Sequence, residues 1–256
     1  MRLVDAHCHL ESEELLPQLD AVLAEAKAAG LVRLVTASVA PEQWQVSADI
    51  ASRFDAVEFA LGIHPLYVEP QHTQTAAVLL EACERGAVAI GEIGLDKKGD
   101  SPDWTLQREI FEAQLRIAKA INLPVVLHCR GAYAELLRSV GAVGLSERGG
   151  VIHAFSGTPE DAEACINMGL RISLGGTLTC RNSKKREAVL RRAYPDHLLI
   201  ETDSPDMSPV EQHGRPNVPA NILFNLRAAA EILREPEERI AECTTRNAVA
   251  LFELEL

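Results

Sequence analysis

Positive charge is what this chain most plainly lacks. Its 25 Lys and Arg stand against 37 Asp and Glu, a net charge of −12 over 256 residues. Such a field repels a polyanion and argues against non-specific coating of duplex nucleic acid, while a small anionic site beside bound cations stays compatible with it. Aromatics are scarce at 4%, so no row of stacking rings is visible in the sequence. No uninterrupted apolar run approaches the ~18 residues of a membrane span, and the chain opens on a polar strand instead of a basic segment followed by an apolar one. The expectation is a cytoplasmic protein with no membrane association and no evident obligate protein partner. The six cysteines (Cys8, Cys83, Cys129, Cys165, Cys180, Cys243) form no CxxC pair, which argues against a disulfide framework and a zinc knuckle. Most of them read as small buried hydrophobes. No GxGxxG follows the first strand, so the main sign of a dinucleotide-binding sheet is missing.

What is present is a regular alternation in a chain that is 47% hydrophobic and 24% charged. Strands are expected at 2–9, 31–36, 57–63, 87–93, 124–129, 151–155, 170–174 and 198–203. Helices are expected from about Leu15 to Gly30, then at 41–53, 73–85, 104–121, 132–140, 159–168 and 183–192, with two closing helices at 220–233 and 236–252. Eight βα units of roughly 30 residues with near-continuous apolar strands point to a closed parallel barrel, not an open doubly wound sheet. The fold class is therefore α/β, a TIM (β/α)8 barrel with an extra C-terminal helix, and residues 1–256 read as one domain with no linker or low-complexity segment.

In such barrels the functional residues gather at the C-terminal ends of the strands. If 2–9 is a strand, its period of two places Asp5, His7 and His9 on one face, with Cys8 packing on the other. Two imidazoles at i and i+2 suit one cation, although an isolated His-x-His also suits a hydrogen-bonded strand end. Asp5 could accept the spare N–H of a ligand and fix its tautomer. His64, Glu92, His128, His153, Glu201 and Asp203 fall at later strand ends. Four histidines (His7, His9, His128, His153) and two carboxylates (Glu92, Asp203) make a mixed set large enough for two divalent cations, with Glu92 the natural bridge.

These residues lie within blocks that resemble the TatD family of metal-dependent hydrolases. The blocks are Asp5-Ala6-His7-Cys8-His9-Leu10, Gly62-Ile63-His64-Pro65, Gly91-Glu92-Ile93-Gly94-Leu95-Asp96, Leu127-His128-Cys129-Arg130, His153-Ala154-Phe155-Ser156-Gly157 and Glu201-Thr202-Asp203-Ser204-Pro205. They follow the family order and span residues 5 to about 219. Gly175-Gly176-Thr177 and the segment from Ser204 to Pro219 look most like the YjjV-type branch. Ala154, where many members carry Cys, is a departure that touches no proposed ligand. The resemblance implies a barrel of the amidohydrolase superfamily and a hydrolase described in many members as a deoxyribonuclease. It implies that His7, His9, Glu92 and Asp203 hold one metal and Glu92, His128 and His153 the second. Many binuclear superfamily members bridge their metals with a carbamylated lysine at the end of strand four; here Glu92 must take that role.

The reaction expected on this reading is attack of a metal-bridged water on a phosphodiester of DNA, with Glu92 and Asp203 as catalytic residues and Asp203 as general base. Glu201, of the same parity as Asp203, would lie beneath the site and orient a ligand, or would pair with a buried Arg or Lys. His64 and Arg130 would contact substrate, and the run Arg181, Lys184, Lys185, Arg186 could receive an anion or be a solvated face. Zinc is the expected bound metal, with Mn, Mg or Ni also compatible. The same activated water would serve hydrolysis of a C–N or ester bond, as in a small amide, a lactone or an aminoacyl-tRNA ester. A non-catalytic metal-binding scaffold is a third reading, against which six intact ligands argue.

Overall fold

A computed structural model describes residues 1–98, 101–180 and 182–256. The described residues form eight parallel strands in sequence order: β1 (Leu3–Cys8), β2 (Leu31–Ala37), β3 (Val57–Leu61), β4 (Ala89–Asp96), β5 (Val125–Arg130), β6 (Gly150–Ile152), β7 (Leu170–Leu174) and β8 (Leu198–Ile200). Between them run α1 (Leu19–Ala28), α2 (Pro41–Arg53), α3 (Ala76–Cys83), α4 (Trp104–Ala120), α5 (Tyr133–Val143), α6 (Pro159–Asn167) and α7 (Lys184–Ala193), and after β8 come α8 (Ile222–Leu233) and α9 (Glu237–Phe252). The seam between β8 and β1 is bridged just beyond the β8 ladder, where Asp203 N–H donates to the His7 carbonyl at 2.9 Å and His9 N–H to the Ser204 carbonyl at 2.8 Å. The result is a nearly closed barrel ringed by helices.

The caps explain several boundaries. Pro41 opens α2, and Thr158 and Asp161 form a reciprocal capping box ahead of Pro159 at the start of α6. Two expected helices start later than their patterns suggested. Pro70–Gln74 forms a 3-10 turn before α3, and Leu16–Gln18 a 3-10 turn before α1, so each segment enters its helix through a tighter first turn.

Two apolar layers hold the barrel. Between sheet and helices, strand residues such as Leu3, Leu34, Leu61, Ile90 and Leu127 pack with Leu19, Trp44, Leu79, Phe111, Leu136 and Leu226. Inside, Val4, Ala6, Val35, Ala37, Ala60, Ala89, Val126, Val151 and Leu199 form a second cluster, closed by Leu251 and Phe252 of α9. The extra helix thus plugs the N-terminal end of the barrel, and Asn247 Nδ2 ties it there by donating to the Leu198 carbonyl at 2.9 Å.

On β1 and β4 the alternation between the two layers is broken. Asp5 pairs with Leu34 and Cys8 with Thr36, so one extra residue of β1 stands against β2; Ile90 pairs with Val125 and Ile93 with Leu127, so β4 carries one extra residue too. A bulge of this kind re-aims the side chains that follow it. Below the bulges Val4 and Ala89 belong to the interior cluster, and above them His7 and Glu92 also face the interior, which unbroken period-two alternation from Val4 and Ala89 would not give. Among the described residues no helix is long and apolar enough to cross a membrane.

Candidate metal centre

Glu92 sits at the middle of the C-terminal face of the barrel, 2% exposed, and its two oxygens look in different directions. Oε2 lies 3.3 Å from His7 Nε2 and 3.6 Å from His9 Nε2, and both these nitrogens are 3.4 Å from Asp203 Oδ1. Oε1 lies 2.7 Å from His153 Nε2, 3.1 Å from His128 Nδ1 and 3.2 Å from His64 Nε2. Three groups of donor atoms able to hold a cation result: His7, His9 and Glu92; His64, Glu92 and His128; and His7, His153 and Asp203. All six residues expected as ligands from the sequence converge here, and His64, expected only to touch substrate, stands against Glu92 beside them.

The fit to a cation can be judged from what the other side of each ring does. His9 Nδ1 is 2.7 Å from the Ala37 carbonyl and so carries the proton, leaving Nε2 as a lone-pair donor toward the site. His128 Nε2 is 3.0 Å from Asp96 Oδ2, which leaves Nδ1 to face Glu92. His7 Nε2 and His9 Nε2 stand 3.2 Å apart and face the same Glu92 and Asp203 oxygens, so a proton or a cation between them serves both rings. His64 differs: its Nδ1 accepts from Leu66 N–H at 3.1 Å, so the neutral ring carries its proton on Nε2 and is a hydrogen-bond donor toward Glu92. Burial lowers the His64 pKa and favours that neutral form.

The charges agree with this. Burial alone would depress His7, but its hydrogen bonds to Asp203 and Glu92 push it up to about 10; His128 rises to about 9 against the same burial, through Asp96 and Glu92. Despite burial, the imidazoles hold Glu92 and Asp203 below the usual carboxylate range. A buried, ionised carboxylate pair that draws positive charge onto His7, His9 and His128 has the electrostatics of a cation site.

The strand ends carry this set on strained or tightly packed backbone. Asp203 adopts a left-handed conformation, φ 57°, as does Ala154, φ 42°, beside His153. Such geometry in non-glycine residues is costly and concentrates at functional sites. Gly94 has φ 150°, and a Cβ there would overlap the His128 carbonyl oxygen, so β4 and β5 approach closely where both deliver site residues.

One expectation for a supporting residue, that for Asp5, needs correction. Asp5 does not reach a ligand ring: the bulge leaves it outside the site, where its carboxylate accepts from Thr202 N–H at 2.9 Å, Thr202 Oγ1 at 2.5 Å and His7 N–H at 3.3 Å. It clamps the β1–β8 seam instead, and burial pushes its pKa up to about 7. Glu201 has no Arg or Lys partner among the described residues; it accepts the Ala154 N–H at 2.5 Å and lies 3.9 Å from His153 Nδ1, so it supports the backbone that carries His153. Burial raises its pKa.

Sequence reasoning missed Asp96 and Glu11. Asp96 is fully buried and holds both His128 and, at 2.8 Å, Arg130 Nε. Its signal was in the sequence, since it shares the parity of Glu92 and stands four residues further on. Glu11 accepts from Thr36 Oγ1 at 2.5 Å and lies 3.4 Å from His9 Nδ1; nothing in its local pattern set it apart from its acidic neighbours. Arg130 stays half exposed on the rim. Of the basic run, Arg181 lies outside the described residues, Lys184 is exposed at the start of α7, Lys185 Nζ donates to the Ser156 carbonyl at 2.8 Å, and Arg186 donates to the Cys180 carbonyl at 2.9 Å. The donor groups open into a cavity of about 470 Å³, lined also by Tyr67, Arg130, Ser156 and Met207.

Comparison with known proteins agrees with this geometry. The family model described as TatD related DNase matches residues 4–253. The chain belongs to the TatD family. It is 32% identical to the uncharacterized metal-dependent hydrolase YabD of Bacillus subtilis, over 98% of this chain and 99% of that one. Identity to the uncharacterized metal-dependent hydrolase YjjV of Escherichia coli is 33%, over 98% of both chains. The crystal structure of YjjV, a TatD homolog, superimposes with a TM-score of 0.93 over 99% of each chain. An uncharacterized amidohydrolase from Saccharomyces cerevisiae shares the fold at a TM-score of 0.84 and 15% identity, over 98% of this chain and all of that one. As a TatD protein the chain is a metal-dependent hydrolase, and its His, Glu and Asp clusters are the residues able to bind the metal.

Proposed function

We propose that this TatD protein is a phosphodiesterase acting on DNA, with His7, His9, Glu92 and Asp203 holding one divalent cation and Glu92, His128 and His153 a second. The observation that carries the reading is the division of Glu92, whose Oε2 faces the His7 and His9 nitrogens while its Oε1 faces those of His128 and His153. Two cations so placed, zinc foremost among them, would supply a water that ionises near neutral pH and would offset charge developing on phosphoryl oxygens.

The chain's own residues do the rest. Asp203, ionised because His7 and His9 hold its pKa down against burial, accepts the proton of the attacking water. The guanidinium of Arg130, anchored by Asp96, donates to phosphate oxygens and sets the ester in line, while His64 Nε2–H is turned toward Glu92 Oε1 at the edge of the substrate cavity. Asp96 and the Ala37 carbonyl fix the rings of His128 and His9, and Glu201 supports His153 from beneath. Phosphoryl transfer is favoured over C–N hydrolysis by Arg130, whose guanidinium stays half exposed on the wall of the cavity and would pair with a phosphate oxygen but not with a neutral amide or lactone.

The test is a panel of single-stranded oligonucleotides, simple phosphodiesters, carboxylic esters and amides, assayed with added Mn, Mg and Zn. Oligonucleotide cleavage that stops on chelation and returns with metal is the expected outcome. Turnover of an amide or carboxylic ester with no nucleotide product would overturn the proposal.

A further inference from the structure

The mouth of the cavity is not uniformly polar. Immediately after His64 the chain turns through Pro65–Tyr67, and this turn lifts Leu66 and Tyr67 to the surface, 41% and 53% exposed, on the wall of the site cavity. The turn is preorganised: Pro65 is buried, Leu66 N–H donates to His64 Nδ1 at 3.1 Å, and Tyr67 N–H donates to the His64 carbonyl at 2.9 Å. The Tyr67 ring meets His64 in an edge contact, centroids 5.9 Å apart at 67°, and keeps over half its surface open. His64 Nε2 is itself 3.2 Å from Glu92 Oε1, so the open ring stands one side chain away from the reacting centre. The same cavity is lined elsewhere by Arg130, held by Asp96, by Ser156 and by the carboxylates and imidazoles of the site.

An adjacent exposed aliphatic and aromatic pair at the lip of a charged site marks a place where a ligand's apolar part rests. Two side chains are far too small an area for a stable protein interface, which needs roughly 800 Å² per partner. A flat ring that covers one aromatic face while its own anionic linkage reaches Arg130 fits both walls, and a nucleobase on its phosphodiester backbone has that chemistry. A base can stack on a side chain only when it has left its own helix.

We propose that Tyr67, backed by Leu66, is the stacking platform for the nucleobase beside the reacting phosphate, so that an oligonucleotide with a base at that position is bound more tightly than one without it. This rests on the phosphodiesterase reading above. It identifies a specificity residue that the low aromatic content of the sequence had hidden.

The test compares wild type, Tyr67→Ala and Tyr67→Phe on a short single-stranded oligonucleotide and on versions carrying an abasic residue at the 5′ end, the 3′ end or an internal position. Tyr67→Ala is expected to raise KM roughly tenfold with kcat within about twofold, in the range that base stacking supplies, and Tyr67→Phe to restore it. On the oligonucleotide whose abasic position falls at the platform, wild type is already weakened and Tyr67→Ala costs nothing more. Equal bound metal in all three proteins shows that the site beneath is intact. An unchanged KM for Tyr67→Ala, or the same cost on every abasic oligonucleotide as on the intact one, overturns the proposal while wild-type cleavage keeps the phosphodiesterase reading standing. Failure of wild type to cut any oligonucleotide overturns both, and is recognised without the variants.

Discussion

The two ends of the barrel interior are built on the same strands and serve opposite purposes. At the N-terminal end Val4, Val35, Ala60, Ala89, Val126, Val151 and Leu199 meet Leu251 and Phe252 in an apolar plug. At the C-terminal end His7, Glu92, His153 and Asp203, all buried, crowd together with the half-buried His9 and His128. On β1 and β4 a single extra residue separates the two regimes. Apolar burial at the lower end stabilises the fold with no need of a ligand, whereas convergent charge at the upper end is favourable only when compensated by cations or protons. Stability and chemistry are thereby segregated along one axis, and substitutions at the two ends should have separable effects.

The sharpest way to break that separation is at the bridge. Glu92→Gln keeps the shape but removes the charge shared by both donor groups. Turnover is expected to fall at least about 1000-fold, equivalent to about 4 kcal/mol of barrier, and bound metal to fall with it, while the circular dichroism spectrum is retained. Retained turnover and metal content would show that Glu92 is not the bridge. At the opposite end, Phe252→Ala, which removes a ring that is 1% exposed, is expected to cost about 3–5 kcal/mol of stability by denaturant unfolding. Metal content and kcat, measured where the variant is still folded, should match wild type; a loss of both would mean that the plug and the site are one cooperative unit.

How much of this was legible in the sequence follows from the same bulges. Strand order, the added C-terminal helix and the gathering of His7, His9, Glu92, His128, His153 and Asp203 at one face could all be read, because barrel topology sends every strand end to the same rim. Asp5 was misplaced because parity was counted through a bulge, and no local pattern in Val4-Asp5-Ala6-His7 marks the extra residue. Asp203 reached the site by a route that parity did not describe, since the β8 ladder ends at Ile200 and the φ of 57° at Asp203 breaks the extended alternation. The orienting partner of His9 is a backbone carbonyl, Ala37, which any residue type would supply and no sequence motif can announce. Tyr67 stayed hidden because its role comes from the turn that exposes it, not from its neighbours in the chain.

A smaller effect sharpens the comparison within the upper end itself. One half of the site is oriented by backbone, the Ala37 carbonyl on His9, and the other by a side chain, Asp96 on His128. Glu11 stands further from His9 Nδ1, at 3.4 Å, so the second half is the one that substitution of an orienting side chain tunes more directly. Asp96→Asn retains an acceptor for His128 but loses the negative charge that makes the ring a stronger donor, so metal affinity should weaken by about 10- to 100-fold, the usual range for a partner of this kind. Because His7 and His9 do not depend on Asp96, titration against a competing chelator should show one class of bound metal weakened and the other unchanged. Asp96 also holds Arg130, and Arg130→Ala serves as the control: it should leave both affinities as they are, which assigns the effect of Asp96→Asn to His128. If both classes weaken together, the two halves are coupled through Glu92 more tightly than their separate supports suggest, and the site must be treated as a single binding unit.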